Sequence, residues 1–298
     1  MFSGSLRAFD AAVRTGSIRK ASEELGVAPS SVSRHVAQLE REVGTPVFDR
    51  GAAGVVLTHA GRMVADYARS VLLDYDTLRT DLNDLHGVQR RLVRVALVES
   101  VATAGPIKAA AALRIRYPSV TFEMRQMPAP QVVEAVRLTA CDVGLTFGAE
   151  PDPEIVSLAA IPEPVVALAP AGHALADAAT VDLSQLAGFD LALPDSGFGV
   201  RRLLDRAAAA QGVRLEPALS SNVFEMLREF VRCGGVAVLP RRACPPDAAF
   251  RVIPLADAAF RQAHIDVIVL RRRRLPRIVR AFTDLLVSEV TAAGLDRR

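Results

Sequence analysis

The polar side chains best suited by type and spacing to recognition chemistry lie between Pro29 and Val43. Val32, Val36 and Leu39 recur there at helical intervals, which predicts a helix with one buried face. The opposite face carries hydroxyls, an arginine, an imidazole and an amide, namely Ser30, Ser31, Ser33, Arg34, His35 and Gln38. Short hydroxyl donors reach phosphate oxygens, and an arginine fork matches the two acceptors of a guanine edge. This helix therefore has the groups that are needed to read a groove of double-stranded DNA.

Two shorter helices are predicted ahead of this one, and a small hairpin after it. The first helix ends at Gly16, and Ser17 is a suitable cap for a second helix over residues 18–25. Residues 26–28 have the length of the turn in a helix-turn-helix, and Pro29 suits the first position of the next helix. The hairpin spans about residues 47–58, and its Arg50 and Thr58 are two further DNA-binding candidates.

A three-helix bundle with a solvated polar face would show the same periodicity. Charge does not decide between the two interpretations, because residues 1–61 contain seven Arg or Lys and six Asp or Glu. The order of the residues is more informative, since it resembles that of the LysR-type regulators. The matching positions are Leu6, Phe9, Gly16-Ser17-Ile18, Ala21, Leu25, Val27, Val32-Ser33-Arg34, Leu39-Glu40, Gly44, Phe48, Arg50, Leu57-Thr58 and Ala60-Gly61. The resemblance implies a winged helix-turn-helix over residues 1–61, with Pro29 where the family often carries a glutamine that helps to read bases.

A long helix is predicted to follow over residues 62–86, within a linker that spans residues 62–88. Its apolar residues alternate at spacings of four and three, which is the heptad pattern of a coiled coil. These residues are Val64, Ala68, Val71, Tyr75, Leu78, Leu82 and Leu85. The seam could pack against its own chain, but helix-turn-helix proteins usually read two half-sites as symmetric dimers. The resemblance also implies a dimerising linker here, so we expect a homodimer or a homotetramer built from it.

The remaining residues, 89–298, alternate short apolar runs with helical segments. This alternation predicts an α/β domain with a mostly parallel sheet. The segments resemble the two-lobed, periplasmic-binding-protein-like effector domain of LysR-type regulators. The matching positions are Tyr117-Pro118, Val120, Asp142-Val143-Gly144-Leu145, Pro170, Gly172-His173, Leu175, Gly235, Ala237 and Leu239-Pro240. The implied lobes cover about residues 92–162 with 267–298, and about residues 163–266.

An effector site is expected where strands end and helices begin, because ligands of α/β lobes collect at that edge. The candidates are Ser100, Val101, Thr103, Phe147, Gly148, Ser196, Gly197, Phe198 and Asn222. Helix amino ends favour a carboxylate, so a small organic acid is one expected effector. Glu99 would place a like charge at the mouth of this site, which leaves a cationic or neutral effector open. The hydroxyls could also serve only as helix caps.

Other classes of protein are disfavoured by what the sequence lacks. It contains no zinc-binding, Walker or nucleophile-elbow motif, so we expect no cofactor, no metal and no enzymatic activity. No secretory signal or apolar run of about 20 residues is visible, which favours a cytoplasmic protein without a membrane span. A solute-binding protein or a cytoplasmic enzyme would leave residues 1–88 unexplained. The expected partners are promoter DNA, a small effector, a second copy of the chain and RNA polymerase.

Overall fold

The computed structural model describes residues 3–49, 55–85, 91–102, 104–244 and 246–295. The chain divides into two compact units, the first containing residues 1–88 with 272–276 and the second containing residues 89–271 with 277–298. None of the described helices is long and apolar enough to cross a membrane.

The first unit is a helical domain with a two-stranded ribbon. Its elements are α1 (Ser3–Thr15), α2 (Ile18–Leu25), α3 (Pro29–Val43), β1 (Phe48–Asp49), β2 (Val56–Leu57) and α4 (His59–Leu85). The predicted boundaries have physical causes: the Ser17 hydroxyl accepts a hydrogen bond from the Lys20 N–H, and Gly26 and Gly44 end their helices in the left-handed conformation. Phe9 is fully buried at the centre, and its ring lies 5.1 Å from that of Phe48.

The ribbon forms the expected antiparallel hairpin, in which Phe48 pairs with Leu57. The candidate Arg50 lies outside the described residues. The hairpin is tied to the start of α4, because the Thr58 N–H donates to the Val47 carbonyl at 3.1 Å. Gly61 is required at this point, since a β-carbon there would lie 2.0 Å from the Val47 carbonyl oxygen.

The second unit contains two five-stranded sheets with helices packed on them. Its strands are β3 (Arg91–Leu97), β4 (Val120–Gln126), β5 (Val143–Phe147), β6 (Ile155–Pro162), β7 (Val165–Pro170), β8 (Leu191–Pro194), β9 (Pro217–Ser221), β10 (Val236–Pro240), β11 (Phe250–Pro254) and β12 (His264–Leu270). Its helices are α5 (Ala104–Arg116), α6 (Ala129–Arg137), α7 (Leu183–Leu186), α8 (Gly199–Gln211), α9 (Phe224–Arg232), α10 (Ala258–Arg261) and α11 (Arg277–Leu295).

The first sheet has the order β4-β3-β5-β12-β6 and the second β11-β7-β10-β8-β9. We call the first sheet with its helices lobe I, and the second lobe II. The expectation of mostly parallel sheets is wrong. Within these two sheets, four of the described pairings are parallel (β3 with β4 and β5, β8 with β9 and β10), and four are antiparallel. The antiparallel pairings all involve β7 or β12, the strands that follow the passages of the chain from one sheet to the other.

Three strands were not predicted, and all three lie at sheet edges: β6, β9 and β11. An edge strand buries less of its surface than a central one, so its apolar pattern is weaker. In β6, for example, Ser157 and Leu158 are exposed, whereas every residue of the central strand β5 is buried.

The turn after α9 uses two glycines in succession, directly after Cys233. Gly234 has φ +107°, a conformation that side chains rarely adopt. At Gly235 a β-carbon would lie 2.1 Å from the Phe230 ring. The two glycines thus bring α9 back onto β10 without strain.

Candidate DNA-binding face and ligand cleft

The amino end of α3 is the most open polar surface of the first unit. Ser30, Ser33 and Arg34 are exposed, and no side chain caps the helix at Ala28. Among the described residues, the Arg34 guanidinium has no hydrogen-bond or ion-pair partner. The positive end of the helix dipole attracts phosphate, and an unpaired guanidinium beside it can reach a base edge.

The remaining candidates of this unit are placed less openly. Ser31 is half-buried, and the His35 ring packs towards α1, where a β-carbon on Gly4 would lie 3.5 Å from it. Gln38 donates to the Glu42 carboxylate at 3.0 Å on the helix surface. The Thr58 hydroxyl caps α4, since it accepts from the Gly61 N–H and donates to the Pro46 carbonyl, both at 2.8 Å.

The heptad seam of α4 divides into two parts. In its first half, Ala68 is fully buried, and Val64 and Val71 pack with it against the core of their own domain. In its second half, the side chains of Tyr75, Leu78 and Leu82 are exposed. The Tyr75 ring also has the Arg7 guanidinium 5.5 Å from its centre. The side chain of Leu85 lies outside the described residues.

The second unit contains a cavity of about 270 Å³ between its two lobes. Lobe I contributes segments at the carboxyl ends of β3, β4 and β5, and lobe II contributes those after β8, β9 and β10. The lining residues are Val98, Glu99, Ser100, Gln126, Met127, Pro128, Ala129, Phe147, Asp195, Gly197, Phe198, Gly199, Val200, Asn222, Phe224 and Pro240. The structure therefore brings Ser100, Phe147, Gly197, Phe198 and Asn222 together, as the strand-end rule suggested.

Three other described candidates do not line this cavity. Val101 is fully buried, whereas Gly148 and Ser196 are exposed outside the lining. Thr103 lies outside the described residues. Sequence reasoning missed residues 126–129, although they follow a strand and so obey the same rule. It also missed Val98, Gly199, Val200, Phe224 and Pro240.

Glu99 joins the two lobes at the edge of the cavity. Its Oε1 accepts a hydrogen bond of 3.1 Å from the Phe224 N–H at the start of α9. Its Oε2 is buried and has no hydrogen-bond partner among the described residues. Burial raises the pKa of the Glu99 carboxyl, while the Phe224 hydrogen bond and the Arg228 charge oppose that change.

Beyond the cavity, the two lobes are connected by a buried ion pair. Glu163 lies in the passage from β6 to β7 and is 0% exposed, and its Oε2 is 2.5 Å from Arg242 Nε. The Arg242 N–H donates to Glu163 Oε1 at 2.9 Å, and its Nη1 donates to the Val290 carbonyl of α11 at 2.7 Å. Through these contacts, Arg242 of lobe II is bound to the segment between β6 and β7 and to helix α11 of lobe I.

Within the described part of the chain, no group of three or more His, Cys, Asp or Glu residues could hold a metal ion.

Comparisons with known proteins agree with both halves of this description. Residues 4–62 match the model for "Bacterial regulatory helix-turn-helix protein, lysR family", and residues 86–291 match that for "LysR substrate binding domain". A RuBisCO operon transcriptional regulator of Allochromatium vinosum is 28% identical over 287 residues, covering 95% of each protein.

Two solved structures have the same fold over nearly the whole chain. A full-length variant of OxyR from Pseudomonas aeruginosa has a TM-score of 0.68 at 20% identity, covering 96% of this chain and 94% of that one. Full-length CbnR in complex with its target DNA has a TM-score of 0.57 at 17% identity, covering 96% and 98%. These likenesses confirm the predicted fold class, and the regulatory name of the relative agrees with the expectation of a protein that is not an enzyme. The chain belongs to the lysR family of bacterial helix-turn-helix transcriptional regulators.

Proposed function

We propose that this regulator binds promoter DNA through the exposed face of α3, and that a small molecule in the cavity between lobes I and II modulates that binding. The observation that carries the DNA half is the uncapped start of α3 with the unpartnered guanidinium of Arg34 beside it. Ser30 and Ser33 supply hydroxyl donors on the same surface, which suits contact with phosphates around a base-reading arginine.

A titration of the full-length protein against the DNA upstream of its own gene tests this half. Arg34→Ala is expected to weaken specific binding by about 1–3 kcal/mol, which is the usual value of a bidentate contact to guanine. The control is Arg214→Ala, which removes the same charge from a side chain that is 88% exposed in lobe II. Equal affinity of the Arg34 variant and the wild type on that DNA would remove Arg34 from the interface.

The second half of the linker seam supports self-association. Leu78 and Leu82 are 55% and 45% exposed, and an apolar stripe of this kind on a long helix is stabilised by a partner helix. We therefore propose a homodimer, or a tetramer of two such dimers, that presents two copies of α3 to an interrupted palindrome.

The cavity supports the effector half of the proposal. It combines aromatic walls with a few polar groups, as small-molecule sites do, and residues of both lobes line it. A ligand that contacts both lobes would favour one lobe angle over others. Action in the cytoplasm, where promoter DNA and RNA polymerase are found, completes the proposal. The sequence leaves open an organic acid and a cationic or neutral molecule as the effector. The charged residues that line the cavity disfavour the organic acid.

A further inference from the structure

The charged residues that line the cavity are both acidic. Glu99 lies on the lobe I side and Asp195 on the lobe II side, and the described lining includes no Arg, Lys or His. The other polar groups there are the neutral side chains of Ser100, Gln126 and Asn222. A carboxylate ligand would therefore lie between two like charges with no cation among the described lining residues.

Two of the helix starts beside the cavity, those of α9 and α8, are already occupied or closed. The Phe224 N–H at the start of α9 donates to Glu99, so a carboxylate of the protein itself occupies that position. The start of α8 is pressed against lobe I, since a β-carbon on Gly199 would lie 2.9 Å from both the ring and the carbonyl oxygen of Phe147. The N–H of Gly197 donates to Asp195 Oδ1 at 2.9 Å.

Three arginines on α8 and α9, the helices that begin at the cavity, are held by other acceptors. Arg228 makes a hydrogen bond to the Ala243 carbonyl and an ion pair with Glu225. Arg201 is paired with Asp205 and donates to the Pro194 carbonyl, and Arg202 donates to the Gly197 carbonyl. These contacts orient the guanidinium groups towards the backbone and the helix surfaces, and none of the three residues belongs to the lining.

One oxygen of Glu99 also lacks a donor that a ligand could supply. Glu99 Oε2 is buried without a hydrogen-bond partner among the described residues, a state that costs free energy until a donor arrives. We infer that the effector of this regulator carries a cationic nitrogen, an ammonium or amidinium group, next to Glu99 and Asp195. Its apolar body lies against Phe147, Phe198 and Phe224. This inference rests on the proposed effector cavity and specifies the chemical class of its ligand.

Three probes with one apolar body and different charges test the inference: phenethylamine, 2-phenylethanol and phenylacetate. Calorimetry on the full-length protein is expected to rank the amine first, tighter than the alcohol and the acid by about tenfold or more, as a charge-assisted hydrogen bond provides. Glu99→Gln and Asp195→Asn should each weaken the amine by about tenfold and bring phenylacetate closer to it. The control Glu216→Gln, whose side chain is 72% exposed outside the lining, should change neither.

A blocking variant separates this inference from the proposed function. Asn222 is exposed at the rim of the cavity, so Asn222→Trp can obstruct it with little effect on the core, which a melting curve verifies. If phenylacetate binds most tightly and Asn222→Trp abolishes its binding, the effector is not cationic. The cavity would then still be the effector site. Amine binding that Asn222→Trp and Glu99→Gln leave unchanged would reject both the class and the cavity. Absence of binding by all three probes would reject the inference, while DNA binding would still be tested separately by Arg34→Ala.

Discussion

The buried pair of Glu163 and Arg242 is expected to stabilise the second unit through mutual dependence. Removing one partner of a buried pair leaves an uncompensated charge and typically costs about 3–5 kcal/mol. The stability lost in Glu163→Gln should be near the lower value, about 3 kcal/mol. Its amide oxygen can still accept from the Arg242 N–H, and the Val290 carbonyl still accepts from the guanidinium. The stability lost in Arg242→Met should be near the upper value, about 5 kcal/mol, because a carboxylate that is 0% exposed loses its cation.

The assay is scanning calorimetry of the full chain at neutral pH. For a unit of this size, each kcal/mol lowers the melting temperature by about 2–4 °C, so losses of roughly 6–20 °C are expected. The double variant Glu163→Met with Arg242→Met buries no charge and should be more stable than the sum of the single losses implies, by about 2 kcal/mol or more. Simple additivity in this cycle, or single losses below about 1 kcal/mol, would refute the argument that the two side chains act as one unit.

Three further predictions concern the linker, the cavity and the core of the first unit. Leu82→Asp should shift the protein towards monomer in sedimentation without lowering its melting temperature. The control Arg69→Asp, which places the same charge off the seam, should leave the dimer intact. A dimer that survives Leu82→Asp would exclude the exposed half of the seam as the interface. Because the pKa of Glu99 is raised above its ordinary 4.5, its contribution to stability is fully present below that value and is lost as the pH rises through the raised pKa. The melting temperature of the wild type should therefore rise relative to that of Glu99→Gln as the pH falls from 7 to 5. If both melting temperatures change equally with pH, the raised pKa of Glu99 is contradicted. Phe9→Ala should destabilise the first unit by about 3–5 kcal/mol, because the side chain is fully buried and packs against Phe48. Urea unfolding followed by circular dichroism measures this loss of stability. A loss below about 1 kcal/mol would mean that the core collapses around the gap.

Local signals in the sequence were sufficient for most helices and for the central strands. Ser17, Gly26, Pro29 and Gly44 act within one turn of the backbone, so their capping roles follow from residue type and neighbouring pattern. The central strand Val143–Phe147 is buried along its whole length and has one polar side chain, that of Thr146, so its apolar run is visible in the sequence.

Edge strands and strand direction depended on the tertiary structure. The half-exposed strand Ile155–Pro162 has a weak apolar pattern, and its pairing with β12 is established only when the chain returns about a hundred residues later. The same return makes β12 antiparallel to its neighbours, which no local pattern could indicate.

The functional residues divide in the same way. The sequence by itself determined that Arg34 and the serines of α3 share one helix face, because helical periodicity is a local property. It also placed Ser100, Phe198 and Asn222 at strand ends. Only the tertiary structure decided that Ala68 is buried within its own domain while Leu82 remains exposed, since this depends on how far α1 and α3 extend along α4. It likewise decided that Glu99 occupies the amino end of α9, because that contact joins residues 125 positions apart.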